Sequence, residues 1–181
     1  YGRNIYLVAV GTDIGVKGDL ISQKVLKINA DCTISVNKIQ GTEGIEVKGK
    51  EFTQNTSAYT EGKLKVEAEK ATLSGSGTQA GEIEVTGNLE SNTTVYSKGN
   101  ITVGGDTKSK GQLLSEGSLE VKGNLESENL VYGKDKITVG KNLDNKSDMQ
   151  SEGNITIGGD TANTGKVLAD KNLDIKGNTV N

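Results

Sequence analysis

The sequence predicts an all-β protein, a parallel β-helix of about 18 residues per coil and roughly ten coils. Three observations carry that expectation. A five-residue anchor, I-E-V-T-G at Ile83, returns at Ile101, Leu119, Ile137, Ile155 and Leu173, every 18 residues without insertion or deletion. Each anchor alternates apolar, polar, apolar, which is the strand period of two. The composition fits many tight corners joined by hydrogen-bonded strands: 25 Gly and no Pro, with aromatic residues only 3% of the chain. Proline cannot donate to a strand ladder, and so few aromatics cannot fill an ordinary globular core.

Numbering each repeat from its anchor shows what one coil must be. Positions 1 and 3 are aliphatic in all six copies. Position 5 is Gly at Gly87, Gly105, Gly123, Gly159 and Gly177, and fails only at Lys141. Position 6 is always Asn or Asp, from Asn88 to Asn178. Gly followed by Asn or Asp supplies the positive φ that a tight corner is expected to need. Stacked Asn and Asp side chains at position 6 would form an internal amide ladder from rung to rung. Position 7 alternates between Leu and Thr, position 13 is apolar (Val95, Leu113, Val131, Met149, Val167) and position 15 is small. A second corner follows at position 17, with Gly99, Gly117 and Gly153.

Each unit therefore holds about three short strands, with positions 1, 3, 7 and 13 pointing inward. No single unit can bury that face alone, and stacking in register buries all of them together. Such units are too short for paired-helix repeats and lack a leucine-rich consensus, which leaves the β-helix. Ten rungs about 4.8 Å apart make a rod on the order of 50 Å long. Val85, Val103, Val121, Val139, Ile157 and Ile175 are expected to form one buried column.

Residues 83–181 are the regular part of one single domain, and residues 1–82 are a looser version of the same grammar. Anchors there read I-G-V-K-G at Ile14, I-S-V-N-K at Ile34, I-E-V-K-G at Ile45 and L-K-V-E-A at Leu64. The short step from Ile34 to Ile45 puts these two on different faces of one coil, or makes 37–44 a loop or small hairpin. The apolar run I-Y-L-V-A-V near the start continues a preceding rung, whereas 51–60 and 70–81 read as corners and loops. The chain opens on Tyr1 without a signal peptide and stops mid-repeat, so it is expected to be an interior piece of a larger protein.

Composition also excludes functions. A net charge of −3 from 21 basic and 24 acidic residues favours neither nucleic acid nor membrane. Arg3 is the single arginine, which removes the usual bidentate phosphate readers. No apolar run is long enough for membrane insertion as a helix. Cys32 is alone, so no internal disulfide can form, and without any histidine it has no activating base. G-G-D-T at 104–107 and 158–161 hints at a calcium solenoid, but the tandem calcium-binding nonapeptide is absent. The acidic pairs Glu82/Glu84 and Glu126/Glu128 read as solvated faces rather than a glycosidase dyad. The expectation is no enzyme, no catalytic residue, no metal and no cofactor.

Two outward columns remain. Position 16 reads Lys98, Glu116, Lys134, Glu152 and Asp170, and its alternating signs are expected to attract along the rod and penalise a slip of one rung. Residues 83–118 and 119–154 agree at about half their positions, so a true period of two rungs is expected. Position 14 lies between inward positions 13 and 15 and so points outward, yet it reads Tyr96, Leu114, Tyr132, Gln150 and Leu168. Tyr96, Leu114, Tyr132 and Leu168 form the candidate interaction stripe, suited to stacking on sugars or docking another rod.

The repeats G-N-L-E-S at 87–91 and 123–127, S-E-G-N-I-T-I-G-G-D-T at 151–161 and A-N-T-G-K-V-L-A-D-K-N-L-D-I-K-G at 162–177 resemble the haemagglutinin repeats of filamentous haemagglutinin-like exoproteins. Contact-dependent growth inhibition proteins belong to the same two-partner secretion group. The resemblance covers 83–181 well and 11–82 loosely; the family's secretion-signal motifs are not visible, nor is any toxin end. It implies a right-handed parallel β-helix, secreted or held at the cell surface of a Gram-negative bacterium as a virulence-associated stalk or adhesin. It also implies an outer-membrane transporter as partner during secretion, and adhesion to a host or bacterial cell surface or a glycan. The alternatives are a bactofilin-like cytoskeletal polymer, which shares similar units and corners, and a polysaccharide-active β-helix enzyme.

Overall fold

The computed structural model describes residues 2–180, which form strands and corners with no helix. The chain is a β-solenoid of about ten turns, all-β, with parallel coils of about 18 residues. The anchors build one ten-stranded sheet, one strand per coil, from Ile5–Ala9 to Leu173–Ile175. Neighbouring anchors pair in parallel and in register: Ile83 faces Ile101, Ile101 faces Leu119, Leu119 faces Ile137, and Ile137 faces Ile155.

Two further faces complete each regular coil. One carries positions 7–9, as in Leu125–Ser127, and the other positions 13–15, as in Val131–Gly133. Strict alternation inside these three-residue strands turns the outer two side chains inward and the middle one outward. In the early coils the two faces are joined by single nine-residue strands, Thr33–Gly41 and Glu51–Tyr59, whose register shifts between Val36 and Lys38.

These long strands correct three expectations for the first half. Ile14 and Ile34 pair with each other, and Ile34 with Phe52, on the second face, so neither belongs to the anchor column. The anchors before Ile45 are Leu26 and Ile5. Of the two readings of the short step, different faces of one coil holds; residues 37–44 make no hairpin. Segments 51–60 and 70–81 are not loops, since they supply Glu51–Tyr59, Lys70–Leu73 and Gly77–Ala80. Their polar residues misled because some point inward: buried Thr78 donates its hydroxyl to Gln54 Oε1 at 3.0 Å, and Gln54 Nε2 donates to the Ser74 carbonyl at 2.7 Å. A buried amide satisfied this way costs the core little.

The core is a continuous stack of aliphatic side chains. Val85, Val103, Val121, Val139 and Ile157 lie in register and are buried, and Ile175 is half-buried. Positions 9 and 15 add a buried polar lining that sequence reasoning noticed only in part. Ser91, Ser109 and Ser127 each donate to the carbonyl two residues on, at 2.7, 2.8 and 2.6 Å. Ser115 reaches the carbonyls of Gly99 and Ser118. These hydroxyls find carbonyl partners along the turning backbone, so none is buried unpaired.

The corner chemistry differs from the expectation of positive φ. Among the described residues only Gly11, Gly75 and Gly77 have positive φ, and no non-glycine residue does. The corner glycines are there because coils approach too closely for a side chain. A Cβ on Gly87 would stand 2.2 Å from the Ala68 carbonyl oxygen, and one on Gly123 would stand 2.2 Å from Asp106 Oδ1. The position 6 ladder exists, but on the outside of the corner and mainly from side chain to backbone. Asn88 Oδ1 accepts from the Asp106 N–H at 2.8 Å, Asp106 Oδ1 from the Asn124 N–H at 2.8 Å, and Asn142 Oδ1 from the Asp160 N–H at 2.8 Å. Each coil thus caps the next one's exposed amide, and the glycine one residue earlier makes room for the cap. An amide-to-amide contact inside the rod occurs at position 9, where Asn145 Nδ2 donates to Asn163 Oδ1 at 2.8 Å.

Candidate functional site

The position 14 side chains stand in one register. Tyr96 faces Leu114, Leu114 faces Tyr132, Tyr132 faces Gln150, and Gln150 faces Leu168. All point outward; Leu168 is exposed and the other four are half-buried against their neighbours in the column. The column also runs further than the regular repeats reveal. Tyr96 faces Gln79, Gln79 faces Tyr59, Tyr59 faces Gln40, and Gln40 faces Ile21. Ile21, Gln40, Tyr59, Gln79, Tyr96, Leu114, Tyr132, Gln150 and Leu168 make an outward column without a single charge. The first half escaped sequence reasoning because its coil lengths vary, so no fixed offset leads from Tyr96 back to Tyr59. The Tyr59-to-Gln79 step of 20 residues contains a turn of its own at Ser74–Gly77.

That turn shapes the surface beside it. Gly75 has φ 84° and Gly77 has φ 137°, conformations that side-chain-bearing residues rarely adopt. The Ser76 N–H donates to the Thr56 carbonyl at 2.7 Å and holds the turn onto the coil below. Beside the turn a shallow hollow of about 290 Å³ opens over Gly77 and Gln79. Tyr59 and Tyr96 flank it, and Ser57, Ser76 and Thr94 line it with hydroxyls. No Asp, Glu, Lys or Arg contributes to its wall.

Neighbouring columns behave differently. The position 16 side chains Lys98, Glu116, Lys134 and Glu152 are exposed, and among the described residues they form no ion pair within 4.0 Å. The attraction expected there is instead found on the second face. Lys108 Nζ lies 3.1 Å and Lys146 Nζ 3.2 Å from the Glu126 carboxylate, and Lys70 Nζ lies 2.8 Å from Glu90. These lysine contacts hold the Glu126 and Glu90 carboxyls below the usual carboxylate range. On the anchor face of the early coils, Lys27 pairs with Glu46 at 2.7 Å, and Lys63 with Glu84. These pairs are solvent-exposed and screened, so they adjust register more than stability. The groove over Leu89 on the second face is lined by Lys70, Glu90, Lys108 and Glu126, which already pair with one another.

One contact reaches into the stripe from its charged neighbour. The Tyr132 hydroxyl donates to Glu152 Oε1 at 2.8 Å. This hydrogen bond, reinforced by burial and by the nearby carboxylates, pushes the phenol up from 10.0 to about 12. A raised value means that the bond contributes to stability fully below pH 10 and that the contribution is lost as pH rises through about 12. In a spectroscopic pH titration Tyr132 should therefore ionise late, and Glu152→Gln should bring its ionisation to lower pH. A Tyr132 ionisation that Glu152→Gln leaves unmoved would contradict the pairing.

Among the described residues, no three His, Cys, Asp or Glu side chains gather where they could hold a metal ion. Cys32 is half-buried and unbridged. Comparison with protein-family models, curated proteins and solved structures finds no match.

Proposed function

We propose that this chain is a stalk segment of a large bacterial exoprotein displayed at the cell surface, and that its uncharged column is an adhesive face. The observation that carries the reading is that column: nine side chains in register, without a charge, on a chain in which 25% of residues are charged. A continuous uncharged strip along a rod is the surface feature that marks an interaction site, whereas scattered apolar residues are not. The haemagglutinin-like repeats in residues 83–181 support the same reading, with export through an outer-membrane transporter and residence outside the cell. A stacked rod suits display, since each coil added extends reach by about 4.8 Å without a new fold.

The test is to treat intact cells that express the natural full-length protein with a protease that cannot enter them, and to follow this segment by antibody. Loss of the segment while a cytoplasmic marker stays intact is the expected result. A protected segment that forms filaments inside the cell would overturn the reading in favour of a cytoskeletal polymer.

A further inference from the structure

The hollow between Tyr59 and Tyr96 has the chemistry of a carbohydrate subsite, and we infer that the column binds a linear, neutral, β-1,4-linked glycan strand along the rod. The inference rests on the reading of this face as adhesive and adds the class of ligand, its direction and its principal subsite. Four features of the site point to it.

The first is polarity without charge. The wall of the hollow offers the Ser57 and Thr94 hydroxyls, the Gln79 amide and two phenols. Hydroxyl and amide groups match the donors and acceptors of sugar hydroxyls. A sulfated or carboxylated ligand would call for lysine or arginine, which the hollow and the column lack.

Spacing is the second. Tyr59 and Tyr96 stand two rungs apart with Gln79 between them, and Tyr96 and Tyr132 stand two rungs apart with Leu114 between them. Two rungs are about 10 Å, close to the length of one extended β-linked disaccharide. Successive tyrosines therefore meet the same face of alternate sugars, and the apolar C–H face of a pyranose is what a phenol ring packs against.

The third is width. The column is one outward side chain wide, about 40 Å long over nine rungs at the rung spacing. A strip so narrow offers about half or less of the roughly 800 Å² per partner that a stable protein pair buries. A single polysaccharide strand fits it, and a second rod does not.

Preorganisation is the fourth. Tyr59 and Tyr96 sit on strands paired on both sides, and the Gly75–Gly77 turn is tied to the Thr56 carbonyl by the Ser76 N–H and hydroxyl. Such a site loses little conformational freedom on binding.

The experiment titrates the purified 181-residue chain with cellohexaose and with chitohexaose by calorimetry, with a heparin-derived hexasaccharide as the acidic comparator. Binding of a neutral hexasaccharide that is unchanged between about 0.1 and 0.5 M salt is expected. The double variant Tyr59→Ser/Tyr96→Ser should weaken it about tenfold or more, and Gln79→Ala should weaken it by a smaller factor. Gln79 is exposed, so its variant keeps the test valid should the tyrosine double variant fold poorly. Binding of heparin alone, binding of none of the three, or neutral binding unaltered in both variants would each overturn the inference. The cell-surface test is independent: a segment that binds no glycan can still be displayed, and a glycan-binding segment can still prove intracellular.

Discussion

Val121→Asp should destabilise the rod by about 3–5 kcal/mol at neutral pH. Val121 is fully buried, stacked in register between Val103 below and Val139 above. The substitution removes apolar burial and also strands a charge in the core. Its carboxyl will be pushed above the ordinary value by burial, so the native state binds the extra proton. The destabilisation is then largest above the raised pKa and shrinks as pH falls through it. Because each coil of a solenoid touches only its neighbours, the damage should be local before it is global. Hydrogen exchange is expected to speed up first in the anchors around Val103, Val121 and Val139, while Leu26 and Ile28 stay protected. A melting curve equal to that of the parent would contradict the inward assignment of the whole column.

Sequence reasoning reached most of this architecture because the regular repeats keep a constant offset, so a column can be followed by arithmetic. Val85 to Ile157 and Tyr96 to Leu168 were both found that way, and their registers match. The first half lacks that constancy. Ile14 and Ile34 satisfied the anchor pattern while belonging to another face, because I-x-V fits any inward-outward-inward strand. Leu26 escapes the pattern because L-K-I-N-A lacks the corner glycine, and Glu51–Tyr59 reads as a corner because its polar Gln54 points inward, where it accepts from the Thr78 hydroxyl. The site suffered the same fault. Tyr59 belongs to the column, but only the pairing through Gln79 reveals it, and the hollow adjoins a positive-φ turn that no spacing rule encodes. Position 9 was within reach, since L-E-S at 89–91 alternates and puts Ser91 inward.

The corner glycines give the other large effect, and they separate two physical reasons for glycine. If positive φ were the reason, alanine would be penalised by backbone strain alone. Gly153 is not in that conformation, yet a Cβ there would stand 1.6 Å from the Asp135 carbonyl oxygen and 2.7 Å from its carbon. The obstacle is backbone of the adjacent coil, which cannot rotate away as a side chain would. Relief requires the coils to part at this corner, which strains the hydrogen bond from the Ser151 hydroxyl to the Lys134 carbonyl and the adjoining strand pairing of Lys136 with Asn154. Overpacking of a tight interior costs about 1–3 kcal/mol, and an immovable obstacle belongs at or above the top of that range. Gly153→Ala is therefore expected to destabilise by about 3 kcal/mol or more. Gly18 supplies the comparison, since its φ is not positive and a Cβ there meets nothing within 4 Å. Gly18→Ala should be neutral or stabilise by up to about 1 kcal/mol, through the lower entropy of the unfolded chain. Chemical denaturation of the two variants beside the parent decides the matter. Equal stability of Gly153→Ala and Gly18→Ala would mean that close approach of the coils is not what the corner glycines serve.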